Sequence, residues 1–243
     1  MQKKKILNTI NAVYHDHNGV DGYRSMRVFL ARKNIILSNP TVHKYMNKEL
    51  HLYSIVRKKN YHYEKGEAHK IFPNLINEEF SAKEINQKWC TDFTYLFLTD
   101  GSKRYNCSIL DLHERSIIAS ITDKQISSDL AIRTLKKALD SQPSIKGKLI
   151  LHSDQGSQYT SKAFTEYCKS VGITQSMSKA GYPYDNAPME RYFNTLKNEL
   201  INLHYYHNDK ELNASIEDFV YIWYNHVRPH AFNNYKTPYE ARY

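Results

Sequence analysis

The spacing of apolar positions changes near residue 86, dividing the chain into a helical first third and a longer mixed remainder. Within the first third, Tyr23, Met26, Val28, Phe29 and Leu30 give one helical face. After a break around residues 33 to 37, Val42, Tyr45 and Met46 recur at i, i+3 and i+4. Ser38 is placed as N-cap and Pro40 lies in the first turn, where proline is tolerated. With an earlier helix over roughly residues 3 to 15, the pattern predicts a small all-α helix-turn-helix unit over residues 1–56. Residues 57–85 have little periodicity and mixed charge, and read as a linker. From Gln87 the period shortens. KWCTDFTYLFL, RYNCSILDL and SIIASIT predict three strands in an antiparallel meander, with DGSK as a turn. SDLAIRTLKKAL, KLILHS, SKAFTEYCKSV and GITQSMS then predict helix, strand, helix and strand. A last helix starts near Asn186 with an apolar stripe of Met189, Phe193, Leu196 and Leu200. The expectation for residues 86–243 is an α/β core: a mixed five-stranded sheet with helices on its faces, ligands gathering at strand ends.

Charge sharpens the division. Residues 1 to 85 hold 15 Lys and Arg against 8 Asp and Glu, whereas the rest hold 19 against 17. The basic excess therefore sits on the helical third and points to a polyanion partner, with Lys44 and Lys48 on the exposed side of the third helix and Arg57, Lys58 and Lys59 as possible phosphate contacts. A solubilising surface is the alternative reading of the same charge. Three separated cysteines, Cys90, Cys107 and Cys168, signal neither a disulfide framework nor a zinc knuckle, which fits a reducing cytoplasm. Asn8 and Asn11 break the opening apolar run, and nothing approaches eighteen apolar residues, so no export signal or membrane anchor is expected.

Three acids then call for an explanation. Asp92 lies within the first predicted strand, flanked by aromatics, where a charge is costly unless it is paired or binds a metal. Asp154 ends the fourth strand, and Glu190 lies just inside the last helix. Each also admits a structural role: an edge-facing position for Asp92, a turn with Gly156 for Asp154, a first-turn dipole complement for Glu190. Lys197 follows Glu190 by seven residues and projects from nearly the same side, with Asn194 between them. Asp111 is a competing acid, a fourth participant in one reading and a strand-end residue pairing with Arg115 in the preferred one. Three carboxylates without thiolate or imidazole form a hard-oxygen site suited to Mg²⁺ or Mn²⁺, two ions of which support in-line phosphoryl displacement. Gly156 would let a nucleic-acid backbone approach and would permit positive φ in the turn.

WCTDFTYL, LHSDQGSQYTS and DNAPMERYFNTLKNEL, with 35 residues between the last two acids, resemble the DDE signature of integrase-core transposases. The resemblance is to the bacterial insertion-sequence group whose transposase arises by programmed frameshifting. NGVDGYRSM and YNHVRPHAFNNYKTPYEARY also look like that group's, so it covers nearly the whole chain. It implies a ribonuclease H-like fold with Asp92, Asp154 and Glu190 as metal ligands, and Lys197 at the basic position that follows the glutamate. It implies Mg²⁺-dependent cleavage at element ends and attack of the freed 3′ hydroxyl on another phosphodiester. Lys197, Asn194, Gln155 and Gly156 are then expected at the DNA, which would be terminal inverted repeats and target. Assembly as a homo-oligomer on DNA is expected. The chain, beginning at MQKKK, looks like the downstream-frame product, with an upstream-frame protein as fusion or partner. The retroviral zinc-binding His/Cys pattern is not present, since no cysteine precedes Cys90. A nuclease of the same fold and a non-catalytic DNA-binding regulator are the competing readings.

Overall fold

The computed structural model describes residues 2–55, 70–143, 145, 148–179 and 186–243. Arg57, Lys58 and Lys59 lie outside the described residues. Helices α1 (Gln2–Asp16), α2 (Tyr23–Arg32) and α3 (Asn39–His43) form the expected three-helix unit, and α3 widens into a π-helical turn over Lys44–Glu49. Ser38 caps α3, its Oγ accepting from the Thr41 N–H at 3.4 Å. Ile10, Val13, Met26, Leu30, Val42 and Met46 bury into one small core, which Trp223 and Val227 from the far end of the chain help to close. Arg32 reinforces that junction, donating to Val227 O at 3.0 Å. The helical unit therefore rests on the rest of the chain.

Five strands, β1 (Lys88–Phe97), β2 (Lys103–Asp111), β3 (Ile117–Asp123), β4 (Ile150–Ser153) and β5 (Thr174–Met177), form one mixed sheet in the order β3-β2-β1-β4-β5. β1, β2 and β3 make the antiparallel meander; β1 with β4, and β4 with β5, are parallel. Gly101, at φ 80°, supplies the left-handed residue of the first hairpin turn. The parallel pairs need crossovers. They are made by α4 (Ser128–Ser141), capped by Ser127, and by α5 (Ser157–Thr160) with α6 (Lys162–Ser170), the latter capped by Ser161.

Those helices cover one face, where Trp89, Ile109, Leu135, Leu151, Tyr159 and Phe164 pack together. The opposite face is covered by α7 (Ala187–Glu199) and α8 (Asp209–Asp218), which continues as a π-helix over Phe219–Val227. Cys90, Leu96, Leu110, Met189, Phe193 and Leu196 belong to that second core. β1 is thus buried on both sides over Trp89, Cys90 and Thr91, while its outer half alternates buried Thr94 and Leu96 with exposed Tyr95 and Phe97. All three cysteines are free and buried, and none of the described helices is long and apolar enough to cross a membrane.

The expected side-chain pair of Asp111 with Arg115 is not formed. Arg115 meets Asp111 only through the main chain, its N–H donating to Asp111 O at 2.9 Å. From a φ of 70° its guanidinium reaches Phe80 O and lies 4.0 Å from the Phe232 ring centre. Asp111 instead accepts from Arg242 of α9 (Pro238–Arg242) at 3.1 Å, and the same guanidinium bonds Glu114, Asn86 and Gln142. Two buried carboxyls concentrate enough negative charge to capture a planar fork with several donors.

Candidate active site

Strand register brings the first two acids together. β4 pairs with β1 through Lys88 and Ile150, Trp89 and Leu151, and Cys90 and His152. The ladder ends there, two residues short of both acids: Asp92 continues β1 and Asp154 directly follows β4, close enough for the charge of Asp154 to act on Asp92. Asp92 shares pleat parity with Cys90 and Leu96, which pack on the α7 side of the sheet. α7 is fastened to this same point, because Asn186 Nδ2 donates to Thr91 O at 3.3 Å. Asn186 precedes α7 as expected, but its side chain makes no capping bond; the strand carbonyl takes it. Glu190 follows in the first turn of α7, half-buried.

The electrostatics record the convergence. The Asp92 carboxyl is held well above the ordinary carboxylate range, first by burial, then by the negative charge of Asp154 and, less strongly, of Glu190. The Phe93 N–H, donating to Asp92 Oδ1 at 2.7 Å, and the Lys197 ammonium work in the opposite direction. Asp154 is also raised, by the loss of water around its carboxyl although the residue as a whole stays exposed, against the Gly156 N–H that donates to its Oδ1 at 2.9 Å. Burial lowers Lys197, and Asp92 offsets part of that effect. Its Nζ lies 4.7 Å from the centre of the Tyr95 ring.

Among the described residues, no three Asp, Glu, His or Cys side chains stand close enough to hold a metal ion together as they are. The donor set nevertheless fits a hard divalent cation. It is all oxygen, and the repulsion that forces Asp92 toward its neutral form is what such a cation relieves. The neighbouring thiol of Cys90 is no competitor, since burial pushes it up to about 12 and keeps it protonated.

The loop after β4 is fixed at both ends. Ser178 N–H donates to Ser153 O at 2.9 Å, and Gln155 Nε2 donates to Ser178 O at 2.9 Å, tying the loop to the end of β5. The positive φ expected at Gly156 is not found: its φ of −57° and ψ of 145° suit any residue. The glycine is explained by space. A Cβ there would lie 2.9 Å from Asp154 Oδ1 and 2.8 Å from Gln158 Oε1, so its smallness makes room for the carboxylate. Behind β1, the buried Tyr159 hydroxyl meets Thr91 Oγ1 at 3.0 Å, and Thr91 Oγ1 donates to Ser108 O at 3.0 Å. These two supports and the Asn186 clamp escaped the sequence reading. Their only signal was an aromatic and two polar residues beside the acids. Asn194, Lys44 and Lys48 are exposed.

A mixed sheet of this order with helices on both faces is the ribonuclease H-like fold of integrase and transposase cores. The integrase core domain matches residues 82–183, and a second integrase core domain pattern matches residues 171–238. The chain is 33% identical to the transposase for insertion sequence element IS904 of Lactococcus lactis, over 98% of this chain and 93% of that protein. It is 31% identical to the putative transposase InsK for IS150 of Escherichia coli, over 96% of this chain and 81% of the other. In fold it is similar to a protein chain in the simian T-cell lymphotropic virus intasome in complex with PP2A regulatory subunit B56 gamma, with a TM-score of 0.53, 18% identity, and 89% and 70% of the two chains covered. It is also similar to the HTLV-2 integrase catalytic core in complex with magnesium, with a TM-score of 0.50, 18% identity, and 66% and 99% covered. The chain belongs to the integrase-core transposases of insertion sequences, enzymes that cut DNA and transfer its strands.

Proposed function

We propose that Asp92, Asp154 and Glu190 form the catalytic metal site of this transposase, taking two Mg²⁺ or Mn²⁺ ions. The observation that carries the reading is the placement of Asp92 in β1, Asp154 directly after β4 and Glu190 in the first turn of α7, near enough that the charges of the other two acids oppose that of Asp92. Bound divalent ions supply the positive charge that activates an oxygen nucleophile and stabilises the departing 3′ oxygen. The protein's own groups hold the reactants. The Phe93 and Gly156 amides orient the Asp92 and Asp154 carboxyls, leaving one oxygen of each to face the reaction. Lys197 draws a DNA phosphate toward the acids, with Asn194 on the same helix and Gln155 and Gly156 opposite. Lys44, Lys48, Arg57, Lys58 and Lys59 hold more distant phosphates of the terminal repeat or target. Assembly of several copies on DNA, an upstream-frame partner and a cytoplasmic setting belong to the same reading.

The test uses the full chain and the element's own ends. Asp154→Asn and Glu190→Gln should abolish Mg²⁺-dependent cleavage and joining and weaken Mn²⁺ binding seen by paramagnetic resonance, while DNA binding persists. Joining retained in either variant overturns the metal-site assignment. Lys197→Ala should reduce the salt slope of DNA binding by about 1. A cut without a joined product in the unaltered protein would favour a nuclease.

A further inference from the structure

A cavity of about 640 Å³ opens where the helical unit meets the core, between the end of α1 and the π-helical continuation of α8. Its floor is apolar, made by Phe219, Ile222 and Trp223, and Ile222 is 58% exposed there. Its rim is acidic. Asp16 and Asp218 stand exposed on it, whereas Glu199 is already held by Arg228, both oxygens at 2.7 Å. Among the described residues that line it there is no lysine or arginine. Elsewhere on the helical unit, the loop between α2 and α3 presents the opposite shape. Asn34, at φ 59°, ends α2, and the Ile35 N–H donates to Leu30 O at 2.9 Å. Ile35 and Leu37 turn into the small core, so Ile36 between them points out. It is 79% exposed, more than any other described leucine, isoleucine or valine, and Lys33 beside it is exposed as well.

An apolar hollow with a negative rim suits a cationic partner that carries an apolar anchor. DNA does not fit it, because phosphates would meet Asp16 and Asp218 with no cation to answer them. A lone exposed isoleucine needs no explanation. A fixed loop that carries one beside a lysine, however, has the shape and the charge that the hollow lacks. The same chain supplies both halves, and its basic excess lies in the helical third, where residues 1 to 85 hold 15 Lys and Arg against 8 Asp and Glu. We propose that the occupant is a second copy of this chain, which inserts Ile36 into the cavity and sets Lys33 against its acidic rim. Every copy then owns one knob and one hollow, and each answers the other across copies. The contact deepens the proposed function, resting on its assembly of several copies while leaving the metal site untouched.

Sedimentation of the full chain between about 1 and 100 µM tests the contact, with tryptophan emission read on the same samples. Trp89 is already fully buried, so a blue shift on association reports Trp223. Concentration-dependent association with that shift is expected. Ile36→Asp and Ile222→Lys should each weaken it about 10- to 100-fold. Lys33→Glu should weaken it less, and lose its effect at high salt. Both isoleucines are exposed, so thermal midpoints should stay unchanged. An equimolar mixture of Ile36→Asp and Ile222→Lys should pair again, since one copy keeps the hollow and the other the knob. A monomer throughout the range, association untouched by both isoleucine variants, or variants that fail to pair when mixed overturns the contact. So does a Trp223 shift caused by DNA in a protein that stays monomeric, which makes nucleic acid the occupant. Ile222→Lys that still gathers several copies on terminal-repeat DNA refutes this surface and leaves assembly standing, whereas a single copy on that DNA in the unaltered protein refutes assembly itself.

Discussion

Gly156→Ala separates a positioning role from a backbone role in one substitution. The backbone at φ −57° and ψ 145° accepts alanine without strain, so the fold has no conformational reason to resist it. The added methyl, however, would lie 2.9 Å from Asp154 Oδ1 and 2.8 Å from Gln158 Oε1. Both are side-chain ends and can move. Restoring an ordinary contact near 3.5 Å displaces the Asp154 carboxylate by about 0.5 Å and weakens its bond from the Gly156 N–H, now 2.9 Å. The loss of one partly exposed hydrogen bond costs about 0.5–1.5 kcal/mol. Displacement of a reacting group by up to 1 Å can cost 100-fold in rate. Gly156→Ala should therefore lower strand transfer about 10- to 100-fold while shifting the thermal midpoint by only a few degrees. Joined product from terminal-repeat DNA on sequencing gels gives the first quantity, and calorimetry the second. Adding Gln158→Ala removes one clash but leaves the Asp154 clash, so the double variant should stay slow. Wild-type joining by Gly156→Ala, or full rescue by the second substitution, would refute the reasoning.

Asp92→Asn should raise stability near pH 7 by on the order of 1 kcal/mol, because it removes a half-buried charge opposed by those of Asp154 and Glu190. The native carboxyl keeps its proton to higher pH than the unfolded chain, whose carboxyl titrates near about 3.9. Wild-type stability therefore falls as pH rises through that window, and the variant's advantage should vanish toward pH 4. Urea midpoints at the two pH values check this; an advantage that grows on acidification contradicts it. Arg242→Ala should cost about 3–5 kcal/mol, since it strands the carboxyls of Asp111 and Glu114, which are 0% and 1% exposed. Arg242→Lys should fall between, restoring charge but not the fork that reaches Asn86 and Gln142. Denaturant unfolding with a loss under about 1 kcal/mol would show that the network matters little.

Features governed by neighbours in sequence were legible before any coordinates. Residues such as Phe93, Leu110 and Ile118 advertise strands through branched and aromatic side chains, and Ser38 and Ser161 advertise helix starts through their hydroxyls. The mixed sheet followed from counting which strands had room for a crossover helix between them. Asp92 drew attention as a charge inside a strand, Asp154 and Glu190 by their places at a strand end and a helix start, and the family resemblance joined the three. What escaped depends on contacts between distant segments. Asp111 takes Arg242 from 131 residues away, although Arg115 is four residues distant. Asn186 prefers the Thr91 carbonyl to its own helix. No periodicity reports that His17 and Phe29 lie against Trp223, with ring centres 4.7 and 6.3 Å away. The conformation of Gly156 was misjudged, because a glycine in sequence does not distinguish a need for φ from a need for volume.

The parallel seam between β1 and β4 spans three residue pairs, whereas the antiparallel ladder between β1 and β2 spans nine. The mutual repulsion of Asp92 and Asp154 falls at the end of the shorter seam. The middle of this sheet is therefore where it breathes most easily. Amides of Leu151, His152 and Ser153 should exchange with deuterium sooner than those of Cys107, Ser108 and Ile109, although both groups are equally sheltered from water. Rigidity then belongs to the antiparallel half, which carries Asp92, and give to the seam that ends just before Asp154.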